Sequence, residues 1–170
     1  MPVYDFPDRK NHGDGNDDRL QDEFRRRGGI VDPYGQRVLS DQVRRLLSRT
    51  KSDERWHPDF FVAWGRGLFA VDAKTNMRGD DDDRYRISRD AIAAHRRWTA
   101  HNPEIPFYYV FSNLGVATVD DVMRYCRLDS VGDITGSYVS FGVDLPRHFD
   151  DVFGPPGDGA AGVVAFRPAA

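Results

Sequence analysis

The chain contains one cysteine, Cys126, in 170 residues, so no internal disulfide can form and no thiolate cluster can hold a metal. Its thiol reads as a small packing group, and the lack of disulfides fits a reducing compartment. No stretch approaches the roughly 20 apolar residues of a membrane span, and Met1 to Lys10 holds no apolar run like that of a secretory leader. The expectation is a soluble, cytoplasmic protein with no membrane partner. Lysine is nearly missing: Lys10, Lys51 and Lys74 are the only ones among 24 basic residues. Glutamate is as scarce, with Glu23, Glu54 and Glu104 among 27 acidic residues. In a chain that writes almost every charge as Arg or Asp, a lysine or glutamate in a special setting is informative. The arginine-heavy usage fits a GC-rich bacterial or phage genome. The net charge of −3 gives no global signal for nucleic acid, so any DNA-binding face has to be local. Neither a Ser-His-Asp constellation nor a phosphate-binding glycine loop is present.

What is there suits one domain of ordinary size, with 39% apolar residues. Residues 1–18, rich in Asp, Asn, Gly and Pro, read as a mobile arm, 19–153 as the folded domain, and 154–170 as a Gly/Pro/Ala-rich tail in which Val163 to Phe166 is a candidate strand. Leu20 and Phe24 lie four apart before Gly28-Gly29, predicting a short amphipathic helix over 19–27. Residues 30–37 read as turn. Ser40 is placed to cap a helix carrying Val43, Leu46 and Leu47. Phe60 to Trp64 and Leu68 to Val71 flank Gly65-Arg66-Gly67 as a β-hairpin. Residues 75–86 read as a polar loop holding Asp80 to Asp83, a solvated run without the spaced ligands of a calcium loop. Ser88 begins a helix to about His101, PFYYVFS (106–112) is the best interior strand, and Thr118 with Asp121 forms a capping box. A strand over 137–143 and a short helix over 146–153 complete the pattern. The order predicts an α/β fold, a mixed sheet of four to five strands flanked by helices.

The hairpin carries the chemistry. Residues two apart on a strand share a face, so Asp72 and Lys74 point one way while Val71 and Ala73 point the other. If the turn is the two-residue Gly65-Arg66, Trp64 pairs with Gly67 and Asp59 falls opposite Asp72; a three-residue turn shifts the register by one. Facing carboxylates repel, and a divalent cation between them removes that cost. Hard oxygen ligands suit Mg²⁺, with Mn²⁺ as a substitute, and the carbonyl of Ala73 is a candidate third ligand. Lys74 is then placed to handle the attacking water and the charge that develops on a phosphate, while the metal polarises that phosphate.

His57-Pro58-Asp59, the hairpin, and then Asp72-Ala73-Lys74 resemble the core of the PD-(D/E)xK nuclease superfamily, which includes type II restriction enzymes and archaeal-type Holliday junction resolvases. The following helix and the strand IPFYYVFS fit the same order, so the resemblance covers roughly residues 19–112. It implies a restriction-endonuclease-like fold and metal-dependent hydrolysis of DNA phosphodiesters, with Asp59, Asp72 and Lys74 as catalytic residues. Asp59, Asp72 and the Ala73 carbonyl are the metal ligands it implies. The superfamily often adds an acidic residue on the helix before the hairpin; Glu23 is the choice here and Asp41 the alternative. The small chain leans toward structure-selective action on branched or single-stranded DNA, as a resolvase-like homodimer. Two other readings stay open: a sequence-specific restriction-type endonuclease, using residues 113–153 for recognition, and an inactive nucleic-acid-binding module of the same fold. His57-Pro58-Asp59 also spells a J-domain tripeptide, but that motif joins two helices and here a strand follows at once.

Arginines cluster at 25–27, at 44, 45 and 49, and at 84, 86, 89, 96 and 97, the last group with Tyr85 and Trp98. Arginine grips phosphates bidentately and aromatic rings stack on exposed bases, so each cluster is a candidate backbone-positioning face.

Overall fold

The computed structural model describes residues 6–75, 84–131 and 134–155. Asp80 to Asp83, and the candidate strand Val163 to Phe166, lie outside the described residues. The first helix, α1, runs Phe6–Arg26, so residues 6–18 continue the helix expected only from about residue 19. It stops as the sequence predicts: Gly28 takes φ 85°, and the Gly28 and Gly29 N–H groups donate to the carbonyls of Arg25 and Phe24.

Residues 30–33, expected as turn, form an edge strand, β1 (Ile30–Pro33), antiparallel to β2 (Phe60–Trp64). Pro33, with no N–H to give, is tolerated there. Ser40 caps α2 (Asp41–Leu47) by accepting from the Val43 N–H. β2 turns into β3 (Gly67–Lys74) through Gly65-Arg66, with Gly65 at φ 60° and Trp64 opposite Gly67, which is the two-residue register.

β4 (Arg84–Ser88) leads into α3 (Arg89–His101), where Ser88 holds the N-cap place without a side-chain bond. α3 is the crossover that returns the chain to β5 (Phe107–Phe111), parallel to β3. β6 (Gly115–Thr118) follows, and α4 (Val119–Tyr125) starts at the Thr118/Asp121 capping box. β7 (Arg127–Val131), β8 (Ile134–Gly142), β9 (Arg147–His148) and α5 (Phe149–Phe153) complete the described chain.

The main sheet has six strands in the order β1-β2-β3-β5-β6-β9, not the four or five expected from sequence. The extra strands are short and carry little bulk (IVDP, GVAT and RH), so their strand signal is weak. The strand expected over 137–143 is β8, which pairs with β4 and β7 in a second sheet that was not foreseen; residues 84–86, expected as loop, lie in β4.

β5 is buried on both faces, which divides the core. Phe107, Tyr109 and Phe111 pack with α3 and with Tyr85, Ile87, Val139 and Phe141 of the small sheet. Tyr108 and Val110 pack on the other side with Leu20 and Phe24 of α1 and Phe149 of α5. The end of β3 is thereby held between two apolar layers.

Candidate active site

Asp59 sits at the entry to β2, where its backbone is tied on both sides. Its N–H donates to the Val71 carbonyl (2.8 Å), and its carbonyl accepts from the Tyr34 N–H (2.7 Å). The Asp59 carboxylate accepts from the Ala73 N–H through Oδ2 at 2.7 Å, which clips the entry of β2 to the end of β3. Asp72 is 5% exposed and pairs through Oδ2 with the Lys74 ammonium. Val71 and Ala73 pack into the α1-side core, as strand alternation requires. The fold thus brings Asp59, Asp72, Ala73 and Lys74 together.

The chain just after β1 packs at Gly35 against the backbone of His57 and Pro58, next to Asp59. Gly35 has φ 63°, and a Cβ there would stand 2.5 Å from the Pro58 carbonyl oxygen. A Gly35→Ala variant therefore meets both backbone strain and a clash one residue from Asp59. The expected result is a loss of stability on the order of 1–3 kcal/mol in urea unfolding, together with reduced activity.

Burial raises the Asp59 pKa well above the usual carboxylate range, and the charges of Asp72 and Asp17 push it further; Lys74 and the Ala73 N–H pull against them. Burial works against the Lys74 ammonium too, but Asp72 and Asp59 outweigh it and its pKa is raised. Lys74 is therefore a cation at neutral pH, suited to holding negative charge rather than to taking up a proton.

Asp17, on α1, is the acidic residue the sequence reading missed. It acts electrostatically on both Asp59 and Lys74. Glu23 stands elsewhere: its carboxylate pairs with Arg26 and Arg27, and Arg27 also binds Asp150 (2.6 Å) at the contact of α1 with α5. Six residues further along a helix mean about 9 Å and a third of a turn in facing, so Asp17 and Glu23 serve different neighbours. Asp41, the alternative, pairs with Arg44 on the exposed α2. A clue to Asp17 was available: Asp17, Leu20 and Phe24 follow the 3-4 spacing of one helix face. His57 pairs with Glu54.

Asp17, Asp59 and Asp72 gather carboxyl groups around the Lys74 ammonium, and a divalent cation there would offset their mutual repulsion. Among the described residues no three His, Cys, Asp or Glu side chains form a ready-made metal cage. Two carboxylates at the end of a strand pair are a sparse set, of the kind suited to a cation that keeps several waters. The donor chemistry fits Mg²⁺ or Mn²⁺ in that sense. Ala73 joins the cluster through its N–H.

Several residues considered for DNA contact are engaged in the fold. Arg27 is buried in its ion pairs, Arg97 binds Asp53 through two bonds of 2.5 and 2.6 Å, and Arg84 binds Ser140. Tyr85 is buried and stacked on Phe111, so it is a core residue and not a platform for a base.

His95 of α3 lies under Asp72, fully buried, with Nδ1 2.8 Å from the Tyr109 hydroxyl. Burial lowers its pKa from 6.5 to about 4, against the pull of Asp72, which favours the charged form. Its folded pKa is depressed, so its contribution to stability is present above pH 6.5 and is lost as the pH falls toward about 4. Wild type is expected to lose on the order of 3 kcal/mol relative to His95→Gln over that window. Urea unfolding of both proteins at pH 7 and pH 4 reads the difference.

No family model matches the chain, and no curated protein matches it. In fold the chain is similar to Hjc, a Holliday junction resolvase of the archaeal hyperthermophile Archaeoglobus fulgidus. The TM-score is 0.53 at 11% identity, over 84% of this chain and 96% of the resolvase. At that identity the likeness is one of fold. The six-stranded mixed sheet flanked by helices matches the restriction-endonuclease-like fold expected from the sequence.

Proposed function

We propose that this protein is a metal-dependent endodeoxyribonuclease that hydrolyses phosphodiester bonds in branched or single-stranded DNA, acting as a Holliday junction resolvase-like homodimer. The observation that carries this reading is the Asp59/Asp72/Lys74 cluster, Asp72 buried and the other two half-buried, at the end of the β2–β3 hairpin in a restriction-endonuclease-like fold. A nuclease of this kind needs little covalent chemistry from its side chains; it needs charges fixed where a phosphate will react.

In this reading Asp59 and Asp72 hold the cation, Asp17 adds to the negative field that favours it, and Lys74 keeps its proton beside the scissile phosphate. The bound Mg²⁺ would supply Lewis-acid polarisation of the phosphate and ready ionisation of water near neutral pH. Glu23, held by Arg26 and Arg27, has a structural part in this scheme.

Cleavage of labelled four-way junction, flap, single-stranded and duplex DNA, in Mg²⁺ or Mn²⁺ against a chelator, tests the proposal. Metal-dependent cutting that favours the junction is expected. Cutting of duplex at a fixed sequence would favour the restriction-type reading. A folded protein that binds DNA and cuts nothing in either metal would make it an inactive binding module.

A further inference from the structure

We propose that Tyr109 and His95 form a buried positioning pair that orients the Asp72 carboxylate. This rests on the nuclease reading for its consequence, but its geometry is independent of it. Asp72 and Tyr109 are partners in the parallel β3–β5 register, so their side chains leave the sheet side by side. Both are buried, and His95 of α3 is packed over them without exposure to solvent. His95 meets each of them: Nδ1 is 2.8 Å from the Tyr109 hydroxyl, and Nε2 is 4.0 Å from Asp72 Oδ1.

The chemistry of the three groups selects one proton arrangement. A neutral imidazole carries its proton on one nitrogen, and the bond made by the other nitrogen decides which. If Nδ1 carried it, the lone pair of Nε2 would face a carboxylate in a buried setting, and the buried phenol would have to donate elsewhere. If Tyr109 donates its O–H to Nδ1, the proton sits on Nε2 and the N–H dipole is turned toward Asp72. Among the described residues Nε2 has no hydrogen bond of ordinary geometry, its 4.0 Å to Asp72 exceeds hydrogen-bond length, and the Trp56 backbone, which also faces the ring, favours its N–H as well. The ring thus acts on Asp72 as a fixed dipole, holding Oδ1 on the α3 side while Oδ2 meets Lys74. Carboxylates that bind metal depend on such outer partners for their orientation, and losing one typically costs 10–100-fold in metal affinity or activity.

Two readouts test this. Long-range ¹H–¹⁵N NMR of the imidazole ring at neutral pH reports the tautomer without any metal, and Mn²⁺ titration reports how well Asp72 is presented. The expected result is an Nε2–H tautomer in wild type. Mn²⁺ affinity should fall at least tenfold in Tyr109→Phe, a change that keeps the ring and the core shape. It should fall as far in His95→Leu and less in His95→Gln, which keeps an N–H. An Nδ1–H tautomer in wild type would overturn the proposal. So would wild-type Mn²⁺ affinity in both Tyr109→Phe and His95→Leu when Asp72→Asn has lost it. If Asp72→Asn binds Mn²⁺ as wild type does, the metal reading itself fails, and the tautomer still decides the Tyr109–His95 geometry.

Discussion

Lys74→Ala should lower single-turnover DNA cleavage by about a thousandfold, the scale on which removing one preorganised charge or donor from a reacting centre acts. The reason is electrostatic. Lys74 stays protonated because Asp72 and Asp59 outweigh the cost of burying it, so under the proposed function its contribution is a positive charge fixed beside the scissile phosphate. Arginine is no substitute: its planar fork is longer and bonds in a different geometry, and Lys74→Arg should recover little. The same change also costs stability, since Asp72 is left buried without its counter-charge. Breaking a buried pair costs about 3–5 kcal/mol, and the partial exposure of Lys74 puts this case toward the low end. Removing both charges, in Asp72→Asn with Lys74→Ala, should restore much of the folding free energy and none of the cleavage. Urea unfolding beside single-turnover kinetics separates the two effects.

Phe24→Ala should be the most destabilising single truncation, by about 3–5 kcal/mol. Phe24 is fully buried and meets five rings: Phe60, Trp64, Phe69, Phe149 and Phe153, with centroids from 4.8 to 6.4 Å. It fastens α1 to β2, β3 and α5 at once, and α1 carries Asp17. Loss of this contact should therefore weaken cleavage beyond what the unfolded fraction explains. Leu46→Ala, on the exposed side of α2 at 55% exposure, should change stability by less than about 0.5 kcal/mol. Urea midpoints of the two variants check the contrast.

The parts of the site that local rules govern were legible in the sequence. The Gly65-Arg66 turn dictates the hairpin register, which runs to Phe60 opposite Val71 and so brings Asp59 to the end of β3, where it bonds the Val71 carbonyl and the Ala73 N–H; alternation places Lys74 beside Asp72. Scarcity of lysine made Lys74 stand out. The Thr118/Asp121 capping box and the glycine stop after α1 were read from single residues. What failed depended on packing between distant segments. Gly13, Gly15 and Asn16 argue against helix by propensity, so the extension of α1 and the position of Asp17 were hidden. Glu23 looked apt on helix position alone, yet Arg27 lies four residues on, an i, i+4 arrangement that competes for its carboxylate. β4 alternates as Arg84, Tyr85, Arg86, Ile87, Ser88, with the apolar residues buried. Its period of two was present, but its arginines made the segment resemble a loop. The His95–Tyr109 contact spans α3 and β5, and no spacing rule points to it.

If the half-buried acidic cluster is held in place for a divalent cation, Mn²⁺ binding measured directly in solution reveals it. Wild type should bind Mn²⁺ and unfold at a higher temperature in its presence, by linkage of binding to folding. Asp59→Asn and Asp72→Asn should stay folded and lose both the binding and the temperature shift. Equal Mn²⁺ affinity in wild type and both variants, or DNA cleavage by wild type that persists under full chelation, would contradict the account.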